Sequence, residues 1–278
     1  MKFAANAPKM VQSALLANGG DCVITDCVSR NDAPLRRIGL ARALSKLGYC
    51  SRSQARELIA AGAVLLNGRV ARDPETPVKL VSDTLKVAGS EIGAAKKIYL
   101  MLNKSRGIVT SAHDEKDRKT VYSLLPEDRP WVAPVGRLDK ASEGLLLLTN
   151  DSEWGARIAS PETHLNKTYH VQIAAVADEE FLKRLTAGIK TADGEILRVK
   201  HAAIVRTGKK NSWLEIVLDE GKNRQIRRLV SAIGVKVLRL IRIAIGPLHL
   251  GDLPKGTVRQ LTREEKASLD RAMLRRRT

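Results

Sequence analysis

The chain has 278 residues, and its 48 Lys and Arg against 30 Asp and Glu leave a formal charge of +18. This length allows one large domain or two unequal ones, and a hydrophobic content of 44% excludes a wholly disordered basic protein. The content of only 3 Trp, 4 Tyr and 2 Phe disfavours a fold that binds single strands through rows of stacking aromatics, so a nucleic-acid partner would be bound mostly through its phosphates.

Targeting and cysteine patterns favour a cytoplasmic protein. No apolar run approaches the roughly 18 residues that cross a bilayer, and the first 20 residues lack the continuous apolar core of a signal peptide. Cys22, Cys27 and Cys50 have no zinc-site or disulfide spacing, so we expect reduced thiols and no metal site.

Residues 1–35 lack hydrophobic periodicity and are predicted to be a flexible leader. A small domain follows over residues 36–90. Leu40 and Leu44 lie at helical spacing, and Ser51 with Gln54 forms a capping box that starts a second helix. Asn67-Gly68 between apolar residues then predicts a two-residue hairpin.

The two predicted helices carry basic residues at four-residue spacing, which lines their side chains up on one face. These candidates for RNA docking are Arg42, Lys46, Arg52 and Arg56. Charge alone equally allows a solvated basic face. The run from Leu44 to Val70, however, resembles the S-four-type RNA-binding domain, which favours docking of RNA.

A larger domain is predicted over residues 95–266, followed by a basic C-terminal tail over 267–278. Residues 88–96 are small and are predicted to form a flexible linker. Strands such as Lys167 to Ile173 alternate irregularly with helices, one of them capped by Asp178, without a repeated βαβ unit. The pattern indicates an α+β fold with a mixed sheet.

The strongest candidate for chemistry is Asp139, in a turn between two apolar strands and two residues after Arg137. A nearby cation keeps such a carboxylate ionised. The alternatives are that Asp139 only caps its own turn, or that Glu143 is the functional acid.

A second candidate is the basic segment 219–234, in which the apolar residues occupy one helical face and the basic residues the other. Its cations are Lys222, Arg224, Arg227 and Arg228. A helix start of this kind suits phosphate, although a solvated basic face is the rival interpretation. Tyr169, on an alternating strand, is either a core residue or a functional ring.

Together these motifs resemble the RNA pseudouridine synthases of the RsuA/RluB group. The matching runs are GRLDKASEGLLLLTND from Gly136, KTYHV around Tyr169, EGKNRQIRRL from Glu220 and LIRIAIGPL from Leu240. Ser105 departs from the pattern, because the family usually has proline there, and the leader has no counterpart. The resemblance implies a largely antiparallel, mixed-sheet catalytic domain of the pseudouridine synthase type behind the RNA-binding domain.

The resemblance also implies roles for individual residues. Asp139 would attack the ribose anomeric carbon or remove the neighbouring ribose proton, and the sequence does not decide between the two. Arg227 would pair with Asp139, Tyr169 would stack on the flipped uracil, and Leu240 would pack beneath the base. Further contacts to the substrate are assigned to Arg137, Lys222, Asn223, Arg224 and Arg228.

The implied reaction converts a uridine of ribosomal RNA to its isomer, with 23S RNA favoured over 16S RNA, and requires no cofactor. The partner would be ribosomal RNA or a pre-ribosomal particle, and the protein would act as a monomer away from membranes. Two rivals remain: a non-catalytic RNA-binding or ribosome-assembly protein that needs only the basic surfaces, and a synthase that acts on transfer RNA or on several RNAs.

Overall fold

The computed structural model describes residues 37–111, 118–127 and 130–274. The whole predicted leader, residues 1–35, and the last four residues of the predicted tail lie outside these ranges. Within them, no helix is long and apolar enough to cross a membrane.

The first domain contains two short helices and six short strands, which form two small antiparallel sheets around its own core. Its elements are β1 (Ile38–Gly39), α1 (Leu40–Lys46), α2 (Arg52–Ala60), β2 (Val64–Leu66), β3 (Arg69–Val70), β4 (Pro77–Val78), β5 (Leu85–Val87) and β6 (Ser90–Glu91). β1 pairs with β4, and the other strands lie in the order β3-β2-β5-β6. Leu40, Leu44, Ile59 and Val64 are fully buried between the helices and the sheet.

Local sequence signals explain these elements. The Ser51 hydroxyl accepts a hydrogen bond from the backbone amide of Gln54, and the Gln54 side-chain oxygen accepts one from the backbone amide of Ser51. The predicted capping box is therefore confirmed. Asn67 and Gly68 both have positive φ, at 51° and 80°, which is the backbone of a type I′ hairpin turn between β2 and β3.

The second domain is built on one large sheet. Its elements are β7 (Tyr99–Lys104), β8 (Ala133–Val135), β9 (Glu143–Thr149), α3 (Ser152–Ala159), β10 (Lys167–Ile173), α4 (Glu179–Ala187), β11 (Ile189–Lys190), β12 (Ile196–Leu197), β13 (His201–Thr207), β14 (Ser212–Leu218), α5 (Gln225–Ala232), β15 (Val237–Ile245), β16 (Leu248–His249), β17 (Val258–Gln260) and α6 (Arg263–Leu274). In the described ranges this sheet has nine strands, in the order β13-β14-β10-β15-β9-β7-β17, with β16 on β15 and β8 on β9.

All pairings in this sheet are antiparallel except that of β15 with β9, which is parallel. The predicted α+β class with a mixed, largely antiparallel sheet is therefore confirmed. At the parallel junction Gly144 pairs with Arg242, and a Cβ on Gly144 would overlap the Arg242 carbonyl oxygen. Glycine, at φ +102°, is required for the two halves of the sheet to approach this closely.

The helices of the second domain pack on the sheet through buried hydrophobic residues, and the last of them extends into the segment predicted to be a tail. Leu185 of α4 and Leu229 of α5 pack with Val171 and Leu214 of the sheet in one core. The final helix extends to Leu274 and buries Leu269 in a second core, so residues 267–274 are helix rather than tail. The sequence alone does not distinguish a helix with a buried apolar face from a solvated basic end, because the residues that pack against α6 lie elsewhere in the chain.

The two domains are joined by a network around Asn150, a fully buried residue at the end of β9. The Asn150 side chain accepts from the Ile98 amide at 2.8 Å and donates to the Lys96 carbonyl at 2.9 Å. Across the same junction the Ala95 amide donates to the Leu47 carbonyl at 2.9 Å. The segment 88–96, predicted to be a flexible linker, thus contains β6 and is hydrogen-bonded to both domains.

We predict that Asn150→Ala will lower the free energy of unfolding by about 1–3 kcal/mol, because it leaves a backbone amide and a carbonyl without partners in a buried position. Chemical denaturation measures the effect. Asn223→Ala, at an exposed position, serves as the matched control and should change stability by less than about 0.5 kcal/mol. Equal losses in the two variants would contradict the role assigned to Asn150.

Candidate active site

Asp139 lies at the mouth of a cavity, in the turn between β8 and β9. The turn begins at Gly136, whose positive φ of 70° turns the chain sharply after β8. The Asp139 side chain is 39% exposed and lines the cavity, which has a volume of about 390 Å³. That volume lies within the range of small-ligand sites, so the carboxylate is accessible to a ligand of nucleoside size.

The backbone of this turn is held from below by Lys104, the last residue of β7. The Lys104 side chain is fully buried, and its Nζ donates to the carbonyl oxygens of Ser105, Asp139 and Ser142 at 3.2, 3.1 and 2.8 Å. Burial lowers the pKa of Lys104 to about 8, although the charges of Asp139 and Glu143 oppose the shift. The ammonium binds the peptide of Asp139 and leaves its carboxylate free.

The ion pair with the Asp139 carboxylate comes from Arg224, not from Arg227 as expected. Arg224 Nη1 lies 3.5 Å from Asp139 Oδ2, and both side chains are substantially exposed. Arg227 Nη2 instead donates to the Ala141 carbonyl at 3.0 Å and to Ser142 Oγ at 3.4 Å. The expected pairing is corrected: Arg227 supports the turn, and Arg224 faces the carboxylate.

The reason is the backbone at the start of α5. Arg224 adopts a left-handed conformation, with φ 48°, immediately before the helix. The helix itself begins only at Gln225, so its periodicity does not determine the direction of the Arg224 side chain.

Tyr169 and Leu240 line the same cavity as Asp139. Tyr169 is half-buried on β10, and Leu240 on neighbouring β15 is 7% exposed. Leu218 and Ile245 add further apolar surface to the lining. The structure therefore brings together an accessible carboxylate, an aromatic ring and an apolar floor, as the sequence analysis expected.

The remaining cations near α5 are largely neutralised within the protein. Arg228 donates hydrogen bonds to the carboxylates of Asp193 and Glu195, the latter at 2.8 Å. The Arg228 side chain is 23% exposed. Lys222 lines the cavity but lies 3.1 Å from Glu195 and 3.3 Å from Glu220. The predicted phosphate contact of Arg228 is thus replaced by an internal ion pair.

Two other expected substrate contacts are exposed. Arg137 lines the cavity at its entrance, whereas Asn223 is exposed but is not among the described residues that line it. Both remain predictions.

Glu143, the alternative acid, is engaged elsewhere. It is 4% exposed on β9, and Arg239 binds its two oxygens at 3.1 and 3.0 Å while Lys255 lies 3.0 Å away. Burial would raise the pKa of Glu143, but hydrogen bonds from these cations lower it overall. A carboxylate held in this way is a structural anion, so Asp139 is the accessible acid of the pair.

The basic face of the first domain is reduced from four residues to three. Arg42 and Arg52 are exposed, and Arg56 makes an exposed contact of 3.5 Å with Glu75 that contributes little energy. Lys46 instead lies 2.6 Å from Glu153 of α3. The prediction that Lys46 docks RNA is corrected, because its ammonium pairs with the second domain.

Sequence reasoning missed three cations of the site: Lys104, Lys167 and Arg242. Lys104 ends the apolar strand YLMLNK, and a lysine at the end of an otherwise buried strand was a usable signal. Lys167 and Arg242 lie within the matching runs KTYHV and LIRIAIGPL, but the resemblance was not carried over to these two residues individually. Both line the cavity.

Comparisons with protein families match the two domains separately. Residues 98–232 match the family described as RNA pseudouridylate synthase, and residues 38–85 match the S4 domain.

Individual relatives match across both domains. The chain is 38% identical over 86% of its length to an uncharacterized RNA pseudouridine synthase of Aquifex aeolicus, of which 96% is covered. It is 35% identical over 81% of its length to ribosomal large subunit pseudouridine synthase B of Bacillus subtilis, of which 93% is covered. A solved structure, described as a pseudouridylate synthase, superposes with a TM-score of 0.59 at 30% identity, covering 84% of this chain and 99% of that chain.

We predict that Lys104→Met will lower the free energy of unfolding by about 1–3 kcal/mol, because three carbonyl groups lose their buried donor. Chemical denaturation across a pH series adds a second readout. The folded state holds the pKa of Lys104 near 8 and an exposed lysine titrates near 10.5, so between these values the unfolded chain binds the additional proton. The stability of the wild type should therefore rise relative to that of the variant as pH increases through this window. Parallel pH curves would contradict the buried position of the ammonium.

Proposed function

The chain belongs to the RNA pseudouridine synthases, and from this premise we propose that it isomerises one uridine of ribosomal RNA, in the 23S molecule, with Asp139 as the catalytic carboxylate. The observation that carries the proposal is the placement of Asp139 at a nucleoside-sized cavity that Tyr169 and Leu240 also line. The substrate is ribosomal RNA, free or in a pre-ribosomal particle.

The reaction requires the target uridine to leave its stack, at a cost of a few kcal/mol. In the proposed complex the flipped uracil stacks on Tyr169 and rests on Leu240, and burial against these side chains offsets part of that cost. Asp139 at the mouth then faces the ribose. It either attacks the anomeric carbon or removes the neighbouring proton, and both routes need an ionised, accessible carboxylate.

Arg224 pairs with Asp139 without sequestering it. An exposed ion pair at 3.5 Å is weak, so an incoming ribose can displace the guanidinium at little cost. Arg227 acts one step further away, since its hydrogen bonds to Ala141 and Ser142 hold the turn that presents the carboxylate.

The choice of ribosomal RNA rests on two supports. The chain carries an S4 domain, which indicates RNA binding, with exposed Arg42, Arg52 and Arg56. The relative from Bacillus subtilis that is 35% identical bears the name ribosomal large subunit pseudouridine synthase B. We infer the same class of substrate for this chain.

We predict that cells without this gene will lack one pseudouridine of 23S RNA, that the wild-type gene will restore it and that Asp139→Asn will not. Asn retains the size of the side chain but can neither attack as a carboxylate nor accept the proton. Mapping of pseudouridines in ribosomal and transfer RNA measures the outcome. Purified enzyme should release tritium from carbon-5-labelled uridine in 23S RNA, and Asp139→Asn should abolish that release.

Asp252→Asn, which changes an exposed aspartate between β16 and β17, is the matched control and should behave as the wild type. Restoration by Asp139→Asn would instead favour the non-catalytic interpretation. Loss of a pseudouridine from transfer RNA alone would overturn the choice of substrate.

We also predict that replacing Arg42, Arg52 and Arg56 together by Gln will weaken RNA binding and lower the slope of log Kd against log salt by about 3, one for each lost phosphate contact. Filter binding across a salt series measures both quantities. Lys46→Gln removes a cation of the same helix that pairs with Glu153, so it should leave the slope unchanged. Equal slopes in the triple variant and in Lys46→Gln would contradict docking on this face.

A further inference from the structure

Two cationic side chains in the cavity have no part in the proposed roles of Asp139, Tyr169 and Leu240. Lys167 begins β10 and Arg242 lies on neighbouring β15, and both line the cavity. Lys167 is two residues from Tyr169, so it shares a strand face with that ring, and Tyr169 and Arg242 are partners in the strand register. The cations therefore flank the position proposed for the uracil.

The guanidinium of Arg242 has an unused donor. Arg242 is 6% exposed, and its Nε donates to the Leu145 carbonyl at 2.7 Å. Its Nη2 is fully buried and has no hydrogen-bond partner among the described residues. The close approach of Gly144 holds the Arg242 backbone in place. A buried donor without an acceptor is costly, which is expected where a ligand supplies the acceptor.

No carboxylate in the described ranges forms an ion pair with Lys167 or Arg242. Burial and the neighbouring charge of Arg242 lower the pKa of Lys167, and Asp219 opposes this shift only in part. Two partly desolvated cations that repel each other form a site for negative charge.

We propose that Arg242 and Lys167 stabilise the negative charge that uracil acquires when its bond to ribose breaks. The inference rests on the proposed function. When the bond between C1′ and N1 breaks, its electron pair stays with the base and is delocalised onto O2 and O4. That charge is consumed when C5 bonds to C1′; the C5 proton then leaves and N1 gains a proton, so substrate and product remain isomers.

The inference does not depend on the role of Asp139. Attack on C1′ and removal of the neighbouring ribose proton both expel uracil with the bonding pair. Hydrogen-bond donors fixed in advance where charge develops lower the barrier more than they stabilise the ground state, because the neutral base offers them a weaker acceptor.

The depth of the cations favours the base over an RNA phosphate as their ligand. Arg242 is 6% exposed, and the lining around it includes Leu240 and Ile245, which would desolvate a phosphate without compensation. The exposed Arg137 and Arg224 stand at the entrance, where the backbone of a flipped nucleotide would pass.

The test uses full-length enzyme and 23S RNA with carbon-5-labelled uridine, under single-turnover conditions at saturating enzyme. Arg242→Gln and Lys167→Met should each slow tritium release by about 100-fold, the usual loss for one charge-stabilising donor. The Kd for RNA should change less than about twofold, since the charge is absent from the ground state. Arg242→Lys, which keeps the charge, should recover part of the rate.

A second arm varies the leaving group. In RNA that contains 4-thiouridine, sulfur carries negative charge more readily and accepts hydrogen bonds more weakly than oxygen. The ratio of the wild-type rate to the variant rate should therefore be at least fivefold lower with 4-thiouridine RNA than with uridine RNA. A variant that is damaged only in its packing would show the same ratio with both substrates.

Arg206→Gln and Lys209→Met are the matched controls, because they remove an exposed arginine of β13 and an exposed lysine of the following turn. Both should retain the wild-type rate. Thermal denaturation checks that each variant folds. If Arg242→Gln does not fold, the rates of Lys167→Met, at a half-buried position, test the inference by themselves.

A raised Kd with an unchanged rate at saturation would assign the cations to an RNA phosphate and overturn the inference, as would equal ratios with both substrates. Failure of the wild type to modify any ribosomal uridine would instead refute the proposed function, so the two failures are distinguishable.

Discussion

The buried ammonium of Lys104 is the contact on which the geometry of the site depends. It satisfies three carbonyl groups at once, two of them in the turn that carries Asp139, and it is fully excluded from solvent. Moving this ammonium away would leave a buried charge and three carbonyl groups without hydrogen-bond partners. The turn is therefore held in a fixed position relative to β7.

Holding the backbone of the turn, rather than the carboxylate, has a consequence for chemistry. The Asp139 side chain keeps one exposed partner, Arg224, which substrate can displace. Glu143, four residues later, has the opposite environment, since two cations bind it in a buried position. Two carboxylates of one segment thus differ in function because of what surrounds them, one structural and one available to act.

The net charge of +18 divides in a similar way. Arg228 and Lys222 are taken up by the acidic residues near α5, and Lys46 by α3 of the second domain. These pairs fasten elements together and contribute little to an RNA-binding field. Among the described cations without an ion pair, Arg42 and Arg52 are exposed on the first domain, whereas Lys167 and Arg242 are partly desolvated in the cavity. Their environments suit different parts of one substrate, phosphate for the former and the reacting base for the latter.

The sequence by itself determined the elements whose causes are local. The capping box at Ser51, the Asn67-Gly68 hairpin, the strand Lys167–Ile173 and the cap at Asp178 all occur as predicted, because each depends on residues within a few positions. The position of Asp139 in the turn between β8 and β9 followed from the same kind of signal. The mixed, largely antiparallel sheet was reached through the strand pattern and the family resemblance together.

Only the tertiary structure decided which charges meet. Lys104 and Asp139 are 35 residues apart, and Arg239 and Glu143 are 96 apart, so no local pattern relates them. Arg224 rather than Arg227 forms the ion pair with the Asp139 carboxylate, and Arg224 has a left-handed backbone immediately before α5. The sequence specifies which side chains are charged. The partner and the exposure of each charged side chain depend on packing between distant strands, and the partner and the exposure determine its role.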